Sequence, residues 1–140
     1  MEQLPALRAH AGDRAVLRAL HFLSENRRVE AQKAALRQGD FARFLQLVQE
    51  SGLSSFRHLQ NVYSPSNPTE QGISLALCLA EQFLASRGGV CRVHGGGFAG
   101  TVQAYVKHAD ITAYCEAMDG VFGKNACAPF SIRSQGAIKI

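Results

Sequence analysis

Gly89-Val90-Cys91-Arg92-Val93-His94-Gly95-Gly96-Gly97-Phe98-Ala99-Gly100-Thr101-Val102-Gln103-Ala104-Tyr105-Val106-Lys107 decides the fold, because a glycine loop there joins two segments of the same kind. On both sides apolar and polar residues alternate at period two, the spacing of a half-buried strand. The stretch therefore predicts strand, loop, strand. Gly95, Gly97 and Gly100 satisfy G-x-G-x-x-G. A dinucleotide site, however, needs a helix opening directly after the glycines and an acidic residue at the end of a second strand about 20 residues on. Here a strand follows, and Glu116 and Asp119 fall on a helical pattern, so the nicotinamide and flavin readings are rejected. What remains is a loop free to take positive φ at several positions, turning successive backbone N–H groups toward one point to make a concavity suited to phosphate. The same residues equally suit a hairpin turn with close backbone packing.

Working outward, the first half reads as helices. Asp13 can cap a long one whose apolar positions Val16, Leu17, Leu20 and Leu23 continue through Val29 and Ala31 toward Leu36, with Gly39 ending it. Asp40 can cap a second helix carrying Phe41, Phe44, Leu45, Leu47 and Val48, which Gly52 stops. A helical turn over 54–59 leads into the loop Tyr63-Ser64-Pro65-Ser66-Asn67-Pro68. Asn67 as cap, Pro68 in the first helical position and Glu70 predict a third helix, with Ile73, Leu77, Ala80 and Leu84 as its buried stripe and Gly88-Gly89 at its end. After the two strands, Asp110 caps a helix with Ile111, Tyr114, Cys115, Met118 and Phe122 on one face, Gly123 ends it, and strands are predicted over 126–133 and 137–140. Helices, two strands, a helix and two strands imply one α+β domain over residues 1–140, with a four-stranded, mostly antiparallel sheet, helices packed on one face and a helical N-terminal half.

Composition narrows the function. An apolar content of 46% in 140 residues suits one globular domain, not a disordered chain. Cys78, Cys91, Cys115 and Cys127 are spread singly through apolar segments, with no C-x-x-C pair and no histidine at ligand spacing, and read as buried thiols of a reducing compartment. There is no leader pattern and no apolar run of membrane-spanning length, which predicts a cytoplasmic protein with no membrane partner. The net charge of +4 is dispersed on helices among Glu and Gln, and no aromatic-plus-basic strand motif accompanies it, so no nucleic-acid partner is expected.

With these residues in view, the chain resembles the GHMP small-molecule kinases, and among them the galactokinases. The glycine loop is similar to that family's third conserved motif. Arg18-Ala19-Leu20-His21-Phe22-Leu23-Ser24-Glu25-Asn26-Arg27-Arg28-Val29 resembles the galactokinase helix R-A-x-H-x-x-x-E-x-x-R-V. Glu50-Ser51 with Leu53-Ser54-Ser55, and the segment from Tyr114 to Phe122 followed by Ser131-Ile132-Arg133, resemble further segments of the same lobe. The likeness implies the family's ferredoxin-like C-terminal lobe, whose partner is an N-terminal kinase lobe that binds galactose, ATP and Mg²⁺. That missing lobe would carry the galactose motif, the phosphate loop P-x-x-x-G-L-S-S-S, and the aspartate and arginine that act on the sugar. The chain alone is then expected to bind no cofactor, hold no catalytic residue and not turn over, and Met1 to Pro5 reads as an internal stretch. By the same likeness Gly95, Gly96, Gly97, Phe98, Ala99 and Gly100 would shape the phosphate and sugar pocket from the far side of the cleft, with His94 and Thr101 at the loop's ends. Ala99 stands where many members carry glycine, and its methyl group limits positive φ. Gly52-Leu53-Ser54-Ser55 imitates part of the phosphate loop but lacks its proline and third serine.

Other candidates have plainer readings. His21 and Glu25, four apart on one helix face, suit a packing pair better than acid–base chemistry, since no third group completes a site. Arg27, Arg28, Arg37 and Arg43 read as a solvated helix face, and Phe41, Phe44 and Phe83 as core. Two rivals to the kinase lobe remain: a free-standing module binding a sugar phosphate or other anion through the glycine loop, and an interaction domain whose exposed apolar surface is the former lobe interface.

Overall fold

The structure, a computed structural model, describes residues 2–98 and 100–132. Helix α1 spans Leu4–Arg37 and is broken at Gly12, whose φ of 78° and ψ of 165° are not helical. Its end is a Schellman turn. Gly39 takes φ 70°, the Asp40 N–H reaches Ala35 O at 2.9 Å, and the Gly39 N–H reaches Leu36 O at 3.2 Å. Asp40 then caps α2 (Phe41–Ser54), its carboxylate accepting the Arg43 N–H at 2.9 Å. A π-helical turn, Ser55–Leu59, follows and ends on Gln60 in the left-handed region. Helix α3 (Gly72–Leu84), strands β1 (Val90–His94) and β2 (Thr101–Tyr105), a 3₁₀ turn (His108–Asp110) and α4 (Ile111–Phe122) complete the order.

The two strands predicted on either side of the loop are present and pair antiparallel, Val90 opposite Tyr105 and His94 opposite Thr101. Alternation sends Cys91 and Val93 to one face of the hairpin and Val90 and Arg92 to the other. Cys91 and Val93 join Ile73, Leu77, Ala80 and Leu84 of α3, Tyr114 and Met118 of α4, and Val62 in the buried core. Against the opposite face lies α2, with Phe44 edge-on to Tyr105 at 5.5 Å between ring centres. Gly52 permits this approach: a Cβ there would stand 3.0 Å from Arg92 Cβ and 3.3 Å from Arg92 Cα.

Several expectations are corrected. Among the described residues the sheet has two strands, not four, and helices cover both of its faces, so the described chain is largely helical rather than a four-stranded α+β domain. Residues 126–132 form no strand. Their approach to the sheet is diverted because the Asn125 and Cys127 N–H groups bond to the Asp119 carboxylate, and Phe130 and Ile132 stand 93% and 94% exposed. The predicted strand over 137–140, like Arg133, lies outside the described residues. Gly52 does not stop α2, which runs through it to Ser54. Helix α3 begins at Gly72, not Pro68, because Asn67 is held in a turn, with the Glu70 N–H on Asn67 O at 3.2 Å and the Thr69 hydroxyl on Asn67 Oδ1 at 3.0 Å. Asp110 precedes α4 without capping it by side chain. Phe41 is exposed. Among the described residues no helix is long and apolar enough to cross a membrane.

The α3 stripe emerges as the sequence places it, with Leu84 2% exposed and Ala80 sealed. Leu84→Ala is expected to cost about 2–5 kcal/mol in urea denaturation. Leu75→Ala, on the exposed side of the same helix, should stay within about 0.5 kcal/mol. Equal costs at the two positions would overturn the core assignment.

Candidate functional site

The glycine loop is shaped by a residue that no motif singles out, Asn61. The Phe98 N–H donates to Asn61 O at 2.6 Å, and Asn61 Nδ2 donates back to Gly96 O at 3.3 Å. Gly95, Gly97 and Phe98 all take positive φ, of 64°, 76° and 64°. At Gly97 both properties of glycine are required, since a Cβ would lie 2.1 Å from Asn61 O in addition to the unfavourable φ. Around Gly95 and Gly96 there is open space. His94 and Thr101 face each other, exposed, at the loop's base, Gly100 is exposed and Phe98 is 43% exposed. Ala99 lies outside the described residues.

Chemically the loop supplies backbone groups and no cation, for it contains neither lysine nor arginine. The Phe98 N–H, one of the donors a phosphate would need, is taken by Asn61. Asn61 Oδ1 is buried with no donor facing it. A carbonyl oxygen accepts, so it suits a hydroxyl or amine better than an anion. Among the described residues no cluster of His, Cys, Asp and Glu could hold a metal ion.

The helix motif 18–29 lands elsewhere, at the junction of α1, α2 and β1. Ser51, fully buried, donates to Glu25 Oε2 at 2.5 Å and accepts from Arg92 Nη1 at 2.6 Å. Glu25 also pairs with Arg28, and Arg28 lies 3.9 Å from Glu50, which Arg43 reaches at 3.3 Å. Arg28 and Arg43 are thus neutralised by carboxylates instead of forming an anion patch. His21 Nδ1 lies 2.9 Å from Ser54 Oγ, which His58 Nδ1 approaches at 3.3 Å. His21 and Glu25 therefore reach separate serines and act as packing groups between helices. Burial first, then the charges of Arg28 and Arg92 and the His58 ring, hold His21 below the ordinary imidazole value. Burial likewise lowers Arg92 and raises Tyr105, partly offset at each by the other.

Of the aromatic candidates, Phe83 meets Tyr114 edge-on at 5.4 Å with the Arg87 guanidinium 4.1 Å over its ring, and Phe44 is half-buried. Gly95, Gly96, Gly97, Phe98 and Gly100 lie in the connection between β1 and β2. Asn61 was missed because its partners are 35 positions away and nothing in the local pattern around it carries that distance. No known protein-family model matches the chain.

Two measurements follow. Gly97→Ala should destabilise by at least about 1–3 kcal/mol for the left-handed backbone alone, with a further loss from the Asn61 clash. Gly95→Ala, with similar φ and open space, should show only the backbone part, and equal losses would remove Asn61 from the explanation. For His21, whose folded value is depressed, the unfolded chain takes up the proton first. Its contribution is therefore complete above about pH 6.5 and lost as pH falls from there toward the folded value. The urea midpoint should drop over that window, and His21→Gln should flatten the slope; an unchanged slope would show that His21 is not the group responsible.

Proposed function

We propose that the chain is the C-terminal lobe of a galactokinase-like sugar kinase. Joined to an N-terminal lobe it would serve ATP-dependent phosphorylation of galactose at the C1 hydroxyl, and alone it would be inactive. One observation carries the reading. Two segments on which the family likeness rests, far apart in sequence, are in contact: Ser51 donates to Glu25 of the 18–29 motif, and it accepts from Arg92 on the strand that leads into the glycine loop.

In the complete enzyme ATP with magnesium supplies the phosphoryl group, and transfer depends on positioning and charge stabilisation. The residues of this chain do not themselves fit those groups, having no cation in the loop and no carboxylate cluster among the described residues. Nucleotide, metal and catalytic groups are therefore assigned to the partner lobe. This chain's part is to hold the loop, with Gly95, Gly96 and Phe98 exposed, at the edge of a shared cleft. A partner is also suggested by α1. Phe22, Val29 and Leu36, spaced by seven, are 63%, 48% and 46% exposed, a row of large apolar side chains on one side of the helix. The reading places the protein in the cytoplasm.

The test is complementation. Coexpressed with the N-terminal lobe of a galactokinase, the chain should copurify with it and restore galactose-dependent ADP formation that neither half shows alone. Gly97→Val should remove the activity. Failure both to associate and to turn over would overturn the proposal. The open space at Gly95 and Gly96 favours, as a second reading, a free-standing module that binds a sugar phosphate. Calorimetric binding of galactose 1-phosphate by the isolated chain, lost in Gly97→Val, would support that module instead.

A further inference from the structure

The sequence scatters its four cysteines singly, yet the fold brings two of them together. Helix α4 ends at Gly123, whose φ of 98° turns the chain back. Asp119 on that helix accepts the N–H of Asn125 at 3.0 Å and of Cys127 at 2.9 Å. These bonds, the one from Cys127 first, hold the Asp119 carboxyl below its ordinary range. They also fasten the returning segment along α4. Cys127 Sγ thereby comes to lie 2.8 Å from Cys115 Sγ, twelve positions back, both side chains partly exposed and lining an open groove of about 610 Å³ with Glu116 and Lys124. Bonded sulfurs stand about 2.05 Å apart, so joining these two needs less than an ångström of movement. The other cysteines differ. Cys91 is buried in the core with its thiol directed at Leu77 O, and Cys78 is exposed on α3.

We propose that Cys115 and Cys127 form a modification site, a reversible intrachain disulfide made by exchange with a small-molecule disulfide. The Cys115 thiolate attacks one sulfur of the reagent and expels the other half as a thiolate, leaving a mixed disulfide on Cys115. The Cys127 sulfur then attacks the Cys115 sulfur, its proton passes to solvent, and the second reagent thiolate leaves. Two protein thiols are oxidised and one reagent disulfide is reduced to two thiols. The order follows from the surroundings. Burial, and next its hydrogen bond with Cys115, push the Cys127 thiol up to about 12, which disfavours Cys127 as the attacking thiolate. Asp119 fixes Cys127 beside the mixed disulfide, where the second attack is intramolecular.

Lys124 lies between the two cysteines, which makes the bond directly readable. The protein is titrated with oxidised glutathione until the exposed Cys78 carries the adduct, then alkylated and cut with trypsin. The expected product is a pair of peptides, one ending at Lys124 and one beginning at Asn125, joined to each other and separated by dithiothreitol. Cys127→Ser should keep glutathione on Cys115, whereas Cys115→Ser should leave Cys127 unmodified. Alkylated thiols or separate glutathione adducts at Cys115 and Cys127 in the unsubstituted protein, with Cys78 modified, would overturn the proposal.

Discussion

Ser51 is the group on which the rest of the arrangement depends. Fully buried, it donates to Glu25 of α1 and accepts from Arg92 of β1, so one hydroxyl joins two helices to the hairpin. An acid and a base placed on either side of a neutral hydroxyl satisfy its donor and its acceptor at once, and each charge meets an oriented dipole as it leaves water. The arrangement demands small residues. Ser51, Ser54 and Ser55 are buried, and Gly52 leaves room for Arg92 at a distance where any side chain would press on the strand. Removing one partner of such a chain strands the other charge in a partly dry site, so the three groups depend on one another.

This polar junction explains why α1 was the hardest helix to read. Its buried positions are His21 and Ala35, with Glu25 and Arg28 partly buried, while Leu20, Leu23, Val29 and Leu36 are exposed. Hydrophobic periodicity locates a helix from its apolar stripe and takes that stripe as the inward face. Here the helix begins at Leu4 and not behind a cap at Asp13, and of the apolar stripe only Val16, Leu17 and Ala31 are even half-buried. Where burial is apolar, as at Ile73, Leu77, Ala80 and Leu84, the same rule gave both the helix and its face. Local chemistry was equally legible at Asp40 and Gly39, whose roles as cap and terminator depend on nearby backbone alone. Gly52 shows the limit. A glycine that ends a helix and a glycine that lets a strand approach look identical in sequence, and only the position of Arg92 separates them.

The candidate site was legible in the same partial way. Alternation on both sides of the loop marks the two strands and leaves no choice of face once Cys91 and Val93 are inside, whereas the register, Val90 opposite Tyr105, is set by the structure of the loop and carries no mark in the pattern. Asn61 was invisible, since hydrogen bonds across 35 positions leave no local trace. The Cys115 and Cys127 pair was missed for a related reason, as the separation of twelve follows from Gly123 and the Asp119 bonds, not from a spacing rule. Of the two further strands, the one predicted over 126–133 does not form over the described residues 126–132, where the Cys127 N–H is bonded to the Asp119 carboxylate. The Asn125 N–H, just ahead of that segment, bonds to the same carboxylate.

The junction and the loop are not independent. Ser51 and Asn61 lie at the two ends of one short segment, the last turn of α2 and the π-helical turn, closed by Gln60 at φ 55°. Ser51 holds the middle of β1 through Arg92, and Asn61 holds the hairpin tip through Phe98 and Gly96. The hairpin is thus tied at two points to a single rigid stretch of chain. The position of its loop relative to α1 follows from the length of that stretch. A π-turn widens the helix by one residue per closed ring, which changes where Asn61 emerges. An ordinary α-helical continuation through Leu59 would rotate Asn61 away from Gly96 and Phe98, which it bonds on either side of Gly97, where no Cβ fits against it. The irregular turn and the glycine are therefore two halves of one constraint, and a change in either displaces the loop whatever it binds.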